Sequence, residues 1–140
     1  MSTISVIVLI LSADDKWPNP VSLHIDMSQF LITGKVSLID KSLATSGNYR
    51  NFFEHDSKKY SHIIDPRTGY AIESNIASVT VIAKSCMDAD AVATVLNVMS
   101  LESGKQMVEN NDDIEAFWVV NEGGSFTTVK SSGMDISLLN

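Results

Sequence analysis

NIASVTVIA (75–83), followed at once by KSCMDADAVATVLNVMS (84–100), decides the fold of this chain. The first nine residues are rich in β-branched side chains and almost unbroken in apolar character, the mark of a central strand. Ser85 then supplies a helix cap, with Asp88 at the third position in the S-x-x-D form of a capping box. The spacing predicts a helix from Cys86 to about Ser100. Met87, Ala91, Val95 and Val98 recur at helical spacing, so their face is expected to meet the core.

Downstream, Ser100 caps a second short helix, Glu102 to Asn110. EAFWVVN (115–121) and SFTTVK (125–130) make a hairpin across Glu122-Gly123-Gly124. The tail SSGMDISLLN (131–140) reads as a surface segment or a last edge strand. Upstream, ISVIVLIL (4–11) is the most apolar run and is expected to be a buried strand. Its eight residues cannot span a bilayer, and no Lys or Arg precedes them as in a signal peptide. ADDKWPNP (13–20) reads as a turn or loop. Residues 21–32 alternate as one half-buried strand through Val21, Leu23, Ile25 and Met27, with His24 in the polar phase. Thr33-Gly34-Lys35 is then expected to break the chain before a short strand at VSLID (36–40). SLATSGNYRNFF (42–53) reads as a loop entering a strand, and residues 49–53 and 59–64 as a hairpin. Pro66 and Gly69 end that hairpin sharply. The expected architecture is α+β, a mostly antiparallel sheet with a helix pair packed on one face, in a single domain spanning 1–140.

The formal charge of −7 argues against a general nucleic-acid binder, which needs basic phosphate contacts. An acidic protein handling an anionic substrate needs a cation to mediate, which directs attention to oxygen ligands. The single cysteine, Cys86, excludes an internal disulfide framework and is explained as a small buried hydrophobe. Trp17 and Trp118 read as core or edge aromatics, without spacing that recommends them as stackers on a ring.

Asp90 and Thr94 stand at i and i+4 near the helix start, aiming two oxygen ligands the same way. Such a pair suits Mg²⁺, with water and phosphate oxygens completing its shell. Asp88 lies roughly 200° around the helix from Asp90 and is better explained as a cap. His62, in SHIIDPRTGY (61–70), can exchange a proton near neutral pH or sit as a sheet histidine. Asp65 can orient that imidazole or cap the turn, and Arg67 can pair with phosphate or with Asp65. Ser42, Thr45, Ser46 and Gly47 have the composition of a phosphate-wrapping loop or of an ordinary turn of small residues.

ATSGNYRNFF, SHIIDPRTGY, the ASVTVIA strand and the DADAVAT helix start, in this order, resemble the carboxy-terminal half of the ApbE family, from about Lys16 to about Val120. The resemblance implies a T-fold-like architecture of which this chain would be an incomplete half. It implies a Mg²⁺-dependent flavin transferase, with FAD as substrate, that joins FMN to a threonine of an acceptor protein and releases AMP. Some members instead hydrolyse FAD to FMN and AMP. The family's D-x-x-x-T metal ligands fall on Asp90 and Thr94, and its motif histidine falls on His62 as base for the acceptor hydroxyl. Its S-G-x-Y segment near the nucleotide falls on Ser46, Gly47 and Tyr49, and Arg67 joins His62 on the cofactor side. Family members are about twice this length. Their amino-terminal half holds most of the isoalloxazine pocket, a backbone metal ligand and a D-x-G-x-x-x-K-G segment, none visible here. The chain is therefore expected to show little activity alone and to work with a complementing amino-terminal half or as a homodimer. The alternative is a non-catalytic structural or interaction domain. The family is mostly periplasmic or membrane-anchored, and neither a signal nor a lipidation site is apparent in this sequence.

Overall fold

Strand β7 (Ile76–Ala83) is buried at every position, as its unbroken apolar run predicts. A computed structural model describes residues 7–9, 21–27, 30–36, 38–47, 52–55, 58–61, 64–71 and 74–139 of the chain. In it, β7 is the middle strand of an antiparallel five-stranded sheet. Strands β1 (Ile7–Leu9) and β4 (Ser42–Gly47) lie on one side of it, and β8 (Glu115–Glu122) and β9 (Ser125–Lys130) on the other. A second sheet orders β10 (Ile136–Leu139), β3 (Phe30–Val36) and β2 (Val21–Met27), and β5 (Phe52–His55) pairs with β6 (Lys58–Ser61). Helices α1 (Cys86–Val98) and α2 (Leu101–Glu109) follow β7 directly.

The five-stranded sheet buries both faces, which is why β7 and β8 read as apolar runs rather than alternations. On one face Ala44, Val79, Val81 and Trp118 pack against Ala89, Ala93 and Leu96 of α1 and Val108 of α2. On the other, Leu43, Ile82, Phe117 and Val119 meet Val36, Met134 and Ile136. This is the expected α+β arrangement, with the helix pair on one face.

Both helix starts follow their cap residues, and the second helix lies within a residue of its expected bounds. Gly123 and Gly124 turn the β8–β9 hairpin at φ +65° and +101°, values that a two-residue turn of this kind demands and glycine meets without strain. The tail is an edge strand, fastened by two carboxylates. Glu109 accepts the Ser132 N–H at 2.8 Å, and Glu115 accepts the Ser131 hydroxyl. The Ser132 hydroxyl and N–H hold the Glu109 carboxyl below its usual range.

Four expectations need correction. The face of α1 that meets the core is Ala89, Ala93, Leu96 and Asn97, whereas Met87 and Val95 are 78 % and 45 % exposed. Small side chains, not large ones, let the helix approach β4 and β7 closely. For the same reason SLATSG is not a loop: it forms β4, paired on both sides, with Ala44 against the helix. Thr33-Gly34-Lys35 lies within β3, because pairing with β2 and β10 overrides local turn preference. The alternating run 21–32 is accordingly two paired strands rather than one. The apolar run near the start contributes β1 as a strand, paired with β4 at the end of the sheet.

Gly104 of α2 sets a testable limit on this packing. A methyl there would sit 3.3 Å from Leu96 Cδ2 and 3.7 Å from Trp118 Cζ2. Leu96 and Trp118 are fully buried, so any shift they make must be taken up within the packed core. Overpacking of about 1–3 kcal/mol then outweighs the gain in helix propensity of about 1 kcal/mol. Gly104→Ala is expected to lower the thermal midpoint, and a raised midpoint would show that α2 lies less tightly on the sheet.

Candidate functional site

The start of α1 is fixed by side-chain chemistry. Ser85 holds extended backbone, and its hydroxyl accepts the Asp88 N–H at 3.1 Å while donating to the Asp88 carboxylate at 2.6 Å. Asp88 is thus engaged in capping, as its position predicts. Asp90, half-buried, is the other carboxylate of the helix. One turn further, the exposed Thr94 donates its hydroxyl proton to the Asp90 carbonyl oxygen at 3.1 Å. A hydroxyl has one proton and two lone pairs, so the Thr94 oxygen can only accept from, or ligate, anything else it meets.

Two hard oxygen donors, one anionic and half-buried, one neutral and exposed, stand a helical turn apart. That set fits Mg²⁺, which keeps several water or phosphate oxygens in its shell. Among the described residues no three His, Cys, Asp or Glu side chains converge as a closed metal cage. Any ion held by Asp90 and Thr94 therefore needs further oxygens from outside this helix.

Ser46 and Gly47 end β4, with Ser46 paired to Val79 on the helix-facing side of the sheet. Asn97 of α1 is wholly buried, and its Nδ2 donates to Ser46 Oγ at 3.2 Å. This contact ties the small-residue segment to the helix bearing Asp90 and Thr94. On the opposite face of the sheet, Thr45 and Thr80 share a hydroxyl hydrogen bond of 2.9 Å, and the buried Ser78 hydroxyl has no partner among the described residues. Sequence reading missed Asn97. The signal was there, an amide at the i+4 step of Ala89 and Ala93, but it becomes visible only once the buried phase of α1 is correctly set.

The DPRTGY turn (65–70) is rigid for reasons its residues explain. The Asp65 carboxylate accepts the Arg67 N–H at 2.9 Å, Arg67 Nε at 3.0 Å and Arg67 Nη2 at 2.7 Å. The Asp65 carbonyl accepts the N–H groups of Thr68 and Gly69, and Gly69 takes φ +73°. Of the alternatives open to Asp65 and Arg67, the turn shows them engaged with one another. Arg67 remains 76 % exposed in its side chain, so its outer edge still faces solvent. His62 and Tyr49 lie outside the described residues, as does Trp17.

The Arg67 guanidinium, with the Arg67 N–H, draws the Asp65 pKa down from 3.8 to about 2. A carboxyl depressed in the folded state stabilises the turn above its unfolded pKa, and that contribution is lost as pH falls from 3.8 through about 2. The pair is screened by water, so it orders the turn rather than the whole fold. Carbon-detected NMR titration of the Asp65 carboxyl should give a midpoint near 2, rising toward 3.8 in Arg67→Ala. Titration of the unaltered chain near 3.8 would show that the fork is open in solution.

A family model described as the ApbE family matches residues 11–118. The FAD:protein FMN transferase of Vibrio cholerae is 48 % identical over 93 residues, covering 66 % of this chain and 28 % of that protein. The protein of the same name from Escherichia coli K12 is 43 % identical over 93 residues, covering 66 % and 26 %. Among solved structures, the flavin transferase ApbE from Vibrio cholerae superposes with TM-score 0.70 and 37 % identity, over 86 % of this chain and 38 % of that one. The apo form of the Pseudomonas stutzeri flavinyl transferase ApbE gives 0.65 and 41 %, over 81 % and 35 %. The matched stretch spans about a quarter of the length of these curated relatives.

Proposed function

This chain belongs to the ApbE family, and from that premise we propose that it carries the cation-holding part of a flavin transferase. The reaction moves FMN from FAD to a threonine hydroxyl of an acceptor protein and releases AMP. The observation that carries the proposal is the oxygen pair on α1, with the Thr94 proton already engaged by the Asp90 carbonyl. Asp90 and Thr94 would hold Mg²⁺. When bound, the ion neutralises charge on the FAD pyrophosphate. The acceptor oxygen forms a bond to the FMN phosphorus, and the bond from that phosphorus to the bridging oxygen breaks. AMP leaves with that oxygen. His62 takes the hydroxyl proton as general base. Ser46, Gly47, Tyr49 and Arg67 serve the nucleotide.

These 140 residues are expected to bind FAD poorly by themselves. The exposed Met87 and Val95 border the turn of α1 that carries Asp90 and Thr94, which supports an assembled form in which a complementing part or a second copy covers that helix. The deciding assay is covalent FMN transfer from FAD to a threonine-containing acceptor, run with Mg²⁺ or with chelator. It is run on the chain alone and on the chain with an ApbE amino-terminal half. Transfer should need both the added half and the cation. Transfer insensitive to chelation would refute the cation assignment, and none under any condition would favour a non-catalytic interaction domain. Release of AMP without acceptor labelling would identify a FAD pyrophosphatase.

A further inference from the structure

Asn97 sits one turn beyond Thr94, in the same buried phase of α1 as Ala89 and Ala93. A side-chain amide in such a place is unfavourable unless bonded. Asn97 meets that need across 51 residues of sequence, its Nδ2 donating to Ser46 Oγ at 3.2 Å. The consequence lies with Ser46. An amide N–H can only donate, so the Ser46 oxygen is the acceptor in this contact and its own proton is left for a second acceptor. Ser46 is half-buried, next to Gly47 at the end of β4.

We infer that Asn97 is a positioning residue for the flavin nucleotide: it fixes the Ser46 hydroxyl as a donor to an anionic or carbonyl oxygen of the ligand. It also pins the end of β4 to the turn of α1 that bears Thr94, so that nucleotide and cation share one rigid frame. This deepens the flavin-transferase reading and rests on it.

The test is a titration of the isotope-labelled full chain with millimolar FAD and Mg²⁺, followed by NMR, which reads weak binding directly. The Asn97 side-chain amide signals should move together with the backbone amides of Ser46 and Thr94. Ser46→Ala and Asn97→Leu should each weaken the apparent affinity about tenfold. The double variant should be no weaker than either, since both remove one shared contact. Thermal midpoints report whether each variant folds. If Thr94 responds to the ligand while Asn97 does not, and Asn97→Leu binds as the unaltered chain does, Asn97 is a core amide only. The transferase reading then stands without it. If Asn97→Leu fails to fold, the Asn97 signals of the unaltered chain decide: their stillness overturns the inference. If no signal moves even after an ApbE amino-terminal half is added to the titration, the flavin reading falls and this inference with it.

Discussion

Asp90→Ala is expected to reduce cation-dependent FMN transfer by the assembled protein on the order of 100-fold or more, while leaving the thermal midpoint almost unchanged. Asp88→Ala, two residues away, is expected to do the reverse. The Asp88 carboxylate accepts the Ser85 hydroxyl proton in the first turn of α1, and losing that bond together with the favourable charge at the helix start costs about 0.5–1 kcal/mol, although the Asp88 N–H still caps onto Ser85. Asp88 has no part in the oxygen pair. Asp90 lies past the first turn, half-buried, beneath the carbonyl that holds the Thr94 proton. Truncating its side chain removes the anionic donor and leaves the backbone contact to Thr94 intact, so the helix survives and the neutral oxygen alone remains. Thr94→Ser should keep most activity, because the hydroxyl can make the same bond to the Asp90 carbonyl, whereas Thr94→Val should not. The measurement is transfer rate against Mg²⁺ concentration for all four variants. If Asp90→Ala reaches the parent rate at saturating Mg²⁺, Asp90 is only another residue of the first turns and the cation sits elsewhere.

That contrast shows what the sequence could and could not yield. Asp88 and Asp90 were separable by helical geometry alone, and the capping role of Asp88 is the one the structure shows. Likewise β7, both helices and the glycine hairpin were legible because their signals are local: β-branched runs, Ser caps and residues suited to φ above zero. The losses came where long-range packing decides. Met87 and Val95 looked like the core face by hydrophobicity, yet the sheet selected Ala89 and Ala93, whose small size permits close approach. β4 was hidden for the same reason, since Ala44 and Ser46 resemble turn residues until α1 is laid upon them. Asn97 followed from that error: a polar residue on an assumed solvent face attracts no attention, whereas one on the buried face demands a partner. The i and i+4 spacing of Asp90 and Thr94 does not depend on which side of α1 faces the core, so the corrected phase bears on Asn97 and not on that pair.

The largest effect on stability is expected from Trp118. It is fully buried in the middle of β8, opposite Val79 and Val129 on the neighbouring strands, and it shares the helix-side core with Leu96 and Val108. Gly104 of α2 lies against its ring, so the indole is the surface on which the second helix rests. Trp118→Ala should cost about 3–5 kcal/mol through lost burial and a cavity that backbone pairing on both sides prevents from closing. Against a typical stability of about 5–15 kcal/mol, that places the variant near unfolding, with a midpoint lowered by roughly 10–20 °C. Trp118→Phe separates two contributions. Among the described residues the buried indole Nε1–H has no hydrogen-bond partner, so deleting it relieves a desolvation penalty of about 1–3 kcal/mol while opening a smaller cavity. The two effects oppose one another, and Phe should come within about 1 kcal/mol of the parent, far from Ala. Thermal and urea denaturation of both variants, followed by circular dichroism, checks this. A Phe variant as unstable as Ala would mean that the Nε1–H has a partner in solution and that the indole is held by a hydrogen bond as well as by packing.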